Sequence, residues 1–263
     1  MKLHPDFLSR PIAHRAYHDR ADRRPENSRA AISAAIAAGY AIEIDLQPAA
    51  DHVPMVFHDY TLERLTGASG KVCDYPADEL QCLHLLDSDE SIPTFAEVLR
   101  LVDGQVPLLV ELKEQGRMVL PEGIGGGPLE RETAKALSGY SGPVAVMSFC
   151  PDTLARFHAH APEVCIGLTT CAYTDRHFDQ MDPAQRERRA GIVDFEDLGC
   201  QFVSHYWRDL GMARIARLKA DGAAILCWTI GNPQDEAEAR QIAANVTFEG
   251  YGATQGYGAT PQS

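Results

Sequence analysis

The chain has 263 residues, 45% of them hydrophobic, and its 37 acidic against 24 basic residues give a formal net charge of −13. A chain of this length buries most of the surface that it would expose when unfolded, which excludes disorder as its main state. The acidic balance also excludes the basic footprint that binding to nucleic acid or to an anionic membrane needs.

Short apolar segments alternate along the chain with segments of helical periodicity, which is typical of an α/β protein with a parallel sheet. The predicted strands are 11–16, 41–47, 53–59, 106–113, 144–149, 164–170, 201–207, 224–230 and 245–250. Only residues 48–52 separate the second from the third, too few for a parallel crossover, so these two form a hairpin. The other eight strands predict a TIM-type (β/α)8 barrel with a small hairpin extension after the second strand.

The predicted helices carry recognisable end signals. Asn27 or Ser28 caps a helix that ends at Gly39, and the spacing of Thr94 and Glu97 is that of a capping box. No linker rich in proline, serine or glycine divides the chain, so we expect a single domain over residues 1–263.

Two glycine-containing segments need a separate interpretation. The stretch 123–127 lacks the Gly-Lys-Ser/Thr ending of a P-loop, so a mobile loop is favoured over a phosphate cradle. The sequence Gly-Tyr-Gly-Ala-Thr occurs at 250–254 and again at 256–260, which is too little for a repeat architecture. We expect a flexible tail over 251–263, with the alternative that its tyrosines fold over the barrel mouth.

The seven cysteines bear on the compartment. Their number is odd and they contain no Cys-x-x-Cys pair, which indicates reduced thiols rather than a disulfide framework or a zinc finger. The first residues lack the apolar core of a signal peptide, and no stretch approaches the roughly 18 apolar residues of a membrane span. We therefore expect a cytoplasmic protein without a membrane anchor.

Charged side chains collect at the predicted strand ends, where barrels of this type place their active sites. Glu43 and Asp45 are two apart on one strand, so period-two alternation points both into the barrel if the intervening apolar residues pack outward. Glu111 and Lys113 have the same spacing. The full set at the strand ends is His14, Arg15, Glu43, Asp45, His58, Asp59, Glu111 and Lys113.

Three carboxylates aimed into one barrel mouth repel each other unless a cation joins them. All-oxygen ligation suits one divalent cation of the Mg²⁺ or Ca²⁺ type, with Mn²⁺ also acceptable, better than Zn²⁺. The alternative for each carboxylate alone is an exposed charge or a salt bridge, such as Glu111 with Lys113.

The remaining groups indicate hydrolysis of a phosphodiester. His14 and His58 titrate near neutrality, so one can accept the proton of an attacking hydroxyl while the other protonates the leaving oxygen. Arg15 offers a bidentate fork for phosphoryl oxygens, and Lys113 offers a compact positive charge. For the other histidines a surface or capping role is expected, except His205 on the seventh barrel strand.

Several short segments of the chain, taken together, resemble the glycerophosphodiester phosphodiesterases, which belong to the PLC-like TIM-barrel phosphodiesterases. The resemblance extends in order from Ile12 to about Gly250. The matching motifs are His14-Arg15, Pro25-Glu26-Asn27-Ser28, Glu43-Ile44-Asp45, His58-Asp59 with Leu62, Arg64 and Thr66, Ile92-Pro93-Thr94-Phe95, Glu111-Leu112-Lys113, Ser148-Phe149 and Trp228-Thr229.

The resemblance implies a role for each matching position. The two histidines supply general acid and base; Glu43, Asp45 and Glu111 hold the metal; Arg15 and Lys113 bind or stabilise phosphate. It further implies that Phe149 and Trp228 line the substrate pocket and that Glu26 and Asn27 support the residues in contact with substrate. The expected products are sn-glycerol 3-phosphate and an alcohol, from a small-molecule substrate, with a homodimer as one possible assembly.

The chain departs from the family pattern in three places. Ala16 follows His14-Arg15 where the family has glycine, the segment after Trp228 lacks the commoner Asn or Asp, and the loop between Lys113 and Val144 contains the glycines 123–127. Three alternatives stay open: a lysophospholipase D-like enzyme acting on larger diesters, a catalytically silent barrel that binds a phosphorylated ligand, and a sugar-phosphate isomerase.

Overall fold

The computed structural model describes residues 2–115, 127–174 and 181–255. Eight parallel strands close into a barrel, because β1 pairs with both β2 and β9. The strands are β1 (Ile12–Ala13), β2 (Ala41–Pro48), β3 (Pro54–Val56), β4 (Leu108–Leu112), β5 (Val144–Ser148), β6 (Cys165–Thr170), β7 (Phe202–Tyr206), β8 (Ala224–Ile230) and β9 (Asn245–Phe248). The predicted (β/α)8 barrel is confirmed.

The hairpin is also confirmed, since β3 runs antiparallel to β2 with Leu46 opposite Val56. Most strands are shorter than predicted by one to four residues in all, and β1 and β3 each end three residues early. β1 stops at Ala13 because the chain then turns through Arg15 and Ala16, which both have positive φ. β3 stops at Val56, which leaves His58 just beyond the strand.

Helices lie before β1, between the barrel strands and in the extension. They are α1 (Asp6–Ser9), α2 (Arg29–Ala38), α3 (Glu63–Thr66), α4 (Ala77–Gln81), α5 (Phe95–Val102), α6 (Pro128–Leu137), α7 (Pro151–His160), α8 (Pro183–Ala190), α9 (Asp194–Asp197), α10 (Ala213–Ala220) and α11 (Pro233–Ala239). Of the two candidate caps for α2, Ser28 is the one used: its hydroxyl accepts from the Ala31 amide, and Gly39 ends the helix in a left-handed conformation. The Thr94–Glu97 capping box is present on α5.

The core has two layers around the sheet. Outward-facing side chains such as Ile42, Ile44 and Val110 pack against the helices, while inward-facing ones such as Leu109 and Phe202 fill the barrel below the site. This alternation is why Glu43, Asp45 and Glu111, which lie between outward-facing residues, point into the barrel.

The extension is larger than the small hairpin that was predicted. After β3 the chain forms α3 and α4, and Met55, Phe57, Leu62 and Leu80 build a separate apolar cluster there. Short helices with little periodic pattern left no signal of this cluster in the sequence. The cluster fixes the segment that carries His58.

Residues 251–255, expected to begin a flexible tail, pack against the barrel instead. Tyr251 donates a hydrogen bond from its hydroxyl to the Glu236 carboxylate (2.9 Å), and Ala253 is buried in the main core. The Tyr40 hydroxyl donates to the Ala253 carbonyl at 3.1 Å. Tyr251 stacks edge-on against Phe248 and does not line the barrel mouth. The second copy of the repeat lies outside the described residues, as does the glycine stretch 123–126.

No helix within 2–115, 127–174 or 181–255 has the length and apolar character to cross a membrane.

Candidate active site

A cavity of about 780 Å³ opens at the end of the barrel where the parallel strands terminate. The predicted catalytic, metal-binding and substrate-binding side chains all line it, namely His14, Arg15, Glu43, Asp45, His58, Glu111, Lys113, Phe149 and Trp228. Glu26 and Asn27 lie behind this lining. The barrel therefore brings together residues that are more than 200 positions apart in the chain.

Three carboxylates form the floor of the cavity. The parallel register of β2 and β4 places Asp45 beside Glu111, and Glu43 lies two residues before Asp45 on the same face. Each side chain is buried, and each offers an oxygen that lies within 4.8 Å of the oxygens of the other two. Asn27 holds Asp45 in place, because its amide nitrogen donates to Asp45 Oδ2 at 2.9 Å.

Lys113 lies between two of these carboxylates. Its Nζ is 2.7 Å from Asp45 Oδ1 and 2.5 Å from Glu111 Oε1. The salt bridge between Glu111 and Lys113 that the sequence left open is therefore formed in this structure. Lys113 therefore compensates the charges of Asp45 and Glu111 more directly than the charge of Glu43.

The electrostatics of the three acidic groups are uneven. Burial and repulsion from Asp45 and Glu111 hold the pKa of Glu43 well above its usual value. Burial alone would raise the pKa of Asp45, but Lys113, His58 and Arg15 bring it below the usual range. Asp45 and Glu111 raise the pKa of Lys113 against the opposing effect of burial. Within the described part of the chain, Glu43 is thus the carboxylate of this cluster that has no ion pair.

The residues present fit a divalent cation at this cluster. Glu43 Oε1 is buried and has no hydrogen-bond partner among the described residues, while Oε2 accepts from the backbone amide of Arg15 at 2.8 Å. A donor set made only of carboxylate oxygens matches Mg²⁺, Ca²⁺ or Mn²⁺. Glu43, Asp45 and Glu111 would hold the ion.

The two candidate catalytic histidines have the same arrangement. Nδ1 of His14 lies 2.6 Å from Glu249 Oε2, and Nδ1 of His58 lies 2.6 Å from Asp59 Oδ1. A carboxylate on Nδ1 fixes the ring and leaves Nε2 as the nitrogen available to the cavity. Both rings are therefore oriented for proton transfer at Nε2.

Glu249 and Asp59, the carboxylates that contact the two histidines, both have lowered pKa values, but different neighbours lower them. The hydrogen bond from His14 and the nearby His18 ring lower the pKa of Glu249, while His58 and Arg64 lower the pKa of Asp59 against its partial burial. Partial burial of the His14 side chain lowers its pKa, even though Glu249 acts in the opposite direction.

Arg64 links the carboxylate that contacts Arg15 to the carboxylate that contacts His58. Its guanidinium donates through Nη1 and Nη2 to Glu26 at 2.8 Å and through Nε to Asp59 at 2.5 Å. Glu26 in turn accepts from Arg15 Nη1 at 2.8 Å. The positions of Arg15 and His58 are therefore coupled through one arginine.

The turn after β1 shows what the departure at Ala16 means. Ala16 has a φ of 66°, in the left-handed region where glycine has no steric penalty, so alanine there costs about 1 kcal/mol. The turn still closes, because the Ala16 amide donates to the Glu43 carbonyl at 2.9 Å. The substitution leaves Arg15 and His14 at the cavity.

Two aromatic rings line another part of the cavity. Phe149 and Trp228 meet edge to face with centroids 5.4 Å apart, and the Trp228 indole donates to the Ser204 carbonyl at 3.0 Å. Thr229 lines the cavity and Ile230 is buried, so Thr229 is the polar side chain after Trp228 that faces the site.

The sequence did not single out Glu249; Asp59 was named in the strand-end set and Arg64 in a motif, with no role assigned to either. Glu249 follows the last barrel strand directly, so a survey of every strand end for carboxylates would have found it. Its contact with His14 depends on β1 pairing with β9, which the Phe248 carbonyl supports by accepting from the His14 amide at 2.9 Å.

Comparison with known proteins gives one consistent result. The model of the glycerophosphoryl diester phosphodiesterase family matches residues 14–248. The protein named "Putative glycerophosphodiester phosphodiesterase YhdW" of Bacillus subtilis (strain 168) is 27% identical over 91% of this chain and 93% of its own length. A glycerophosphodiester phosphodiesterase of Caldanaerobacter subterraneus is 33% identical over 55% of this chain and 60% of its own.

A solved structure adds a ligand to the comparison. The phosphodiesterase OLEI02445 of Oleispira antarctica was determined in complex with the product sn-glycerol-3-phosphate. It superimposes with a TM-score of 0.72 at 25% identity, covering 92% of this chain and 93% of its own.

Proposed function

The chain belongs to the glycerophosphoryl diester phosphodiesterase family, and from this premise we propose that it releases sn-glycerol 3-phosphate and an alcohol by metal-dependent hydrolysis with two histidines. One observation carries the proposal. Two histidines, each held at Nδ1 by a carboxylate, face the same cavity as a buried three-carboxylate cluster.

The two histidines divide the proton transfers. One accepts the proton of the attacking hydroxyl, either a water or the glycerol 2-hydroxyl, and the other donates a proton to the departing alcohol. Glu249 favours the protonated form of the His14 ring against the effect of burial, and the contacts of Glu249 and Asp59 at Nδ1 keep Nε2 of both rings directed at the reacting atoms. The ring that donates therefore begins the reaction with its proton on the correct nitrogen.

The phosphate is bound by Arg15 and Lys113. Arg15 is held in place by Glu26 and can present its remaining donors to phosphoryl oxygens. A divalent cation held by Glu43, Asp45 and Glu111 would supply positive charge to the phosphate oxygens. Lys113, next to the same carboxylates, adds charge where negative charge develops. Phe149 and Trp228 line the part of the cavity available to the substrate's organic groups.

Other properties follow from the same premise. We propose a cytoplasmic location, which the seven free cysteines support because thiols persist in a reducing compartment. The substrate is a small molecule, consistent with the Oleispira antarctica structure that holds sn-glycerol-3-phosphate. The retention of all five proposed histidine and metal-binding residues argues against a silent barrel.

Product identification tests the proposal. Purified protein is stripped of metal, resupplied with Mg²⁺, Ca²⁺ or Mn²⁺, and incubated with a panel of glycerophosphodiesters and acylated analogues, with products identified by ³¹P NMR. We expect sn-glycerol 3-phosphate only with a divalent ion, and strongly reduced turnover for His14→Ala and His58→Ala. Full hydrolysis in EDTA, or by His14→Ala, would contradict the scheme. Faster cleavage of the acylated analogues would favour the alternative hypothesis of a lysophospholipase D-like enzyme that acts on larger diesters.

A further inference from the structure

A second group of metal-ligating side chains lies at the edge of the same cavity. His14, His18 and Glu249 each offer one ligand atom, and these three atoms lie within 4.8 Å of one another. His14 Nδ1 is 2.6 Å from Glu249 Oε2, and His18 Nε2 is 3.6 Å from the same oxygen. All three side chains are partly buried.

The backbone explains why these residues meet. Pairing of β1 with β9 places His14 beside Glu249, which immediately follows β9. The chain then reverses through Arg15 and Ala16, both with positive φ, and the His18 amide donates to the Ala16 carbonyl at 2.9 Å. This tight turn brings the His18 ring back toward Glu249.

One atom of the group is left without a hydrogen bond. His18 Nε2 is buried and has no hydrogen-bond partner among the described residues, although it faces a carboxylate oxygen. A buried polar atom without a partner costs free energy, and a ligand between the three side chains would satisfy it. This nitrogen, which lacks a hydrogen bond but lies 3.6 Å from Glu249 Oε2, therefore points to a ligand that the three residues share.

The ligand chemistry selects an ion different from the one expected at the carboxylate cluster. Two imidazoles and a carboxylate suit Zn²⁺ and similar transition ions, whereas the oxygen-only cluster suits Mg²⁺ or Ca²⁺. Three protein ligands with one open position is also a common zinc arrangement. Millimolar Mg²⁺ should therefore not displace an ion from this group.

We propose that His14, His18 and Glu249 form a second metal site, which takes a transition ion of the zinc type and stops hydrolysis by occupying His14. A neutral imidazole bound through Nδ1 carries its remaining proton on Nε2 and has no free lone pair. Such a ring cannot accept a proton from a hydroxyl or return to the charged acid form. The binding part stands on the geometry alone, while the inhibition rests on the catalytic role proposed for His14.

Metal binding is measured directly, so that it does not depend on activity. Metal-stripped protein in excess Mg²⁺ is titrated with Zn²⁺ by equilibrium dialysis and with Co²⁺ by visible absorption, which reports imidazole ligation. We expect one Zn²⁺ per chain for the wild type, and an affinity at least about tenfold weaker for His18→Gln. His160→Gln, which changes an exposed histidine at the end of α7, is the matched control and should behave as the wild type.

Two further measurements separate this site from the carboxylate cluster. Glu43→Gln should keep the Co²⁺ spectrum, because Glu43 is not part of the second site. Hydrolysis by the wild type in saturating Mg²⁺ should fall in proportion to the fraction of chains that hold Zn²⁺, and His18→Gln should resist the same zinc concentration.

Three outcomes would overturn the proposal in whole or in part. Unchanged zinc affinity in His18→Gln, or loss of the Co²⁺ spectrum in Glu43→Gln, would place the ion elsewhere and refute the site. Zinc binding that requires His18 but leaves hydrolysis unaffected would refute the inhibition and, with it, the catalytic role of His14. A chain without phosphodiesterase activity would refute the proposed function and leave the binding result to stand separately.

Discussion

The hydrogen bond between His14 and Glu249 gives the most direct test of how the site works. In Glu249→Gln the side chain keeps its length but loses its charge, so the 2.6 Å bond to His14 Nδ1 becomes neutral. Hydrogen bonds with a charged partner contribute about 1.5–3 kcal/mol. The Glu249 side chain is 42% exposed, which screens its charge and favours the lower end of that range.

About 1.5 kcal/mol corresponds to about a tenfold loss in kcat. The loss should fall on kcat rather than KM, because Glu249 acts on His14 and is not expected to touch the substrate. Its charge favours the protonated form of His14, so the limb of the pH–rate profile that reports this ring should move to lower pH in Glu249→Gln. Steady-state kinetics across pH, with excess divalent ion, measure both effects.

A matched control and a second variant sharpen the test. Glu238→Gln changes an exposed carboxylate on α11 and should leave the kinetics unchanged. Asp59→Asn, at the other histidine, also removes the ion pair with Arg64 and should cost more than Glu249→Gln. An unchanged pH profile in Glu249→Gln, or a loss confined to KM, would refute the orienting role of this carboxylate.

Four further predictions address the rest of the site and the fold. Removing divalent ions should weaken binding of the product sn-glycerol 3-phosphate, measured by calorimetry, at least about tenfold; equal affinity in EDTA would contradict the proposed cation. Arg64→Met should lower kcat about 10- to 100-fold, with partial recovery in Arg64→Lys, because one arginine holds both Glu26 and Asp59; wild-type kinetics would refute that coupling. Burial lowers the pKa of His205 to about 4, so folding favours its neutral form. The free energy of unfolding should therefore fall by about 3 kcal/mol as pH drops from 6.5 toward 4. In urea titrations the free energy of unfolding of His205→Gln should depend less steeply on pH, and an equal slope would contradict the assignment. Ala16→Gly should raise the free energy of unfolding by about 1 kcal/mol because φ at this position is 66°, with no gain as the contrary result.

The barrel was predictable because its signals are local. Each barrel strand is an apolar segment bounded by turns, and the end signals at Ser28, Gly39 and Thr94 act within a few residues. The inward direction of Glu43 and Asp45 followed from period-two alternation together with outward packing of the apolar residues between them. What the sequence left unresolved depends on contacts between distant segments.

The contact between His14 and Glu249 shows this limit most clearly. The two residues are 235 positions apart, and they meet only when the barrel closes between β1 and β9. The packing of Tyr251 and Ala253 depends on the same closure, which is why a segment of small and polar residues was expected to form a flexible tail. The apolar cluster of the extension likewise joins residues from Ala49 to Ile92 that show no regular period.

The net charge of −13 makes binding of an anionic diester depend on local charge. The side chains at the cavity do not reverse the sign by themselves, because each cation there already has acidic partners. Arg15 faces Glu26 and Asp45, and Lys113 faces Asp45 and Glu111. Glu43 has no such partner among residues 2–115, 127–174 and 181–255, and burial together with repulsion from its acidic neighbours raises its pKa.

A divalent cation held by the three carboxylates would change this balance in two ways. It would compensate Glu43, and it would weaken the interaction of Asp45 and Glu111 with Lys113, so that Nζ becomes available to phosphate oxygens. A bound ion would then decide whether the lysine pairs with the protein or with the substrate. We therefore expect Lys113→Met to reduce the gain in product affinity that the ion gives.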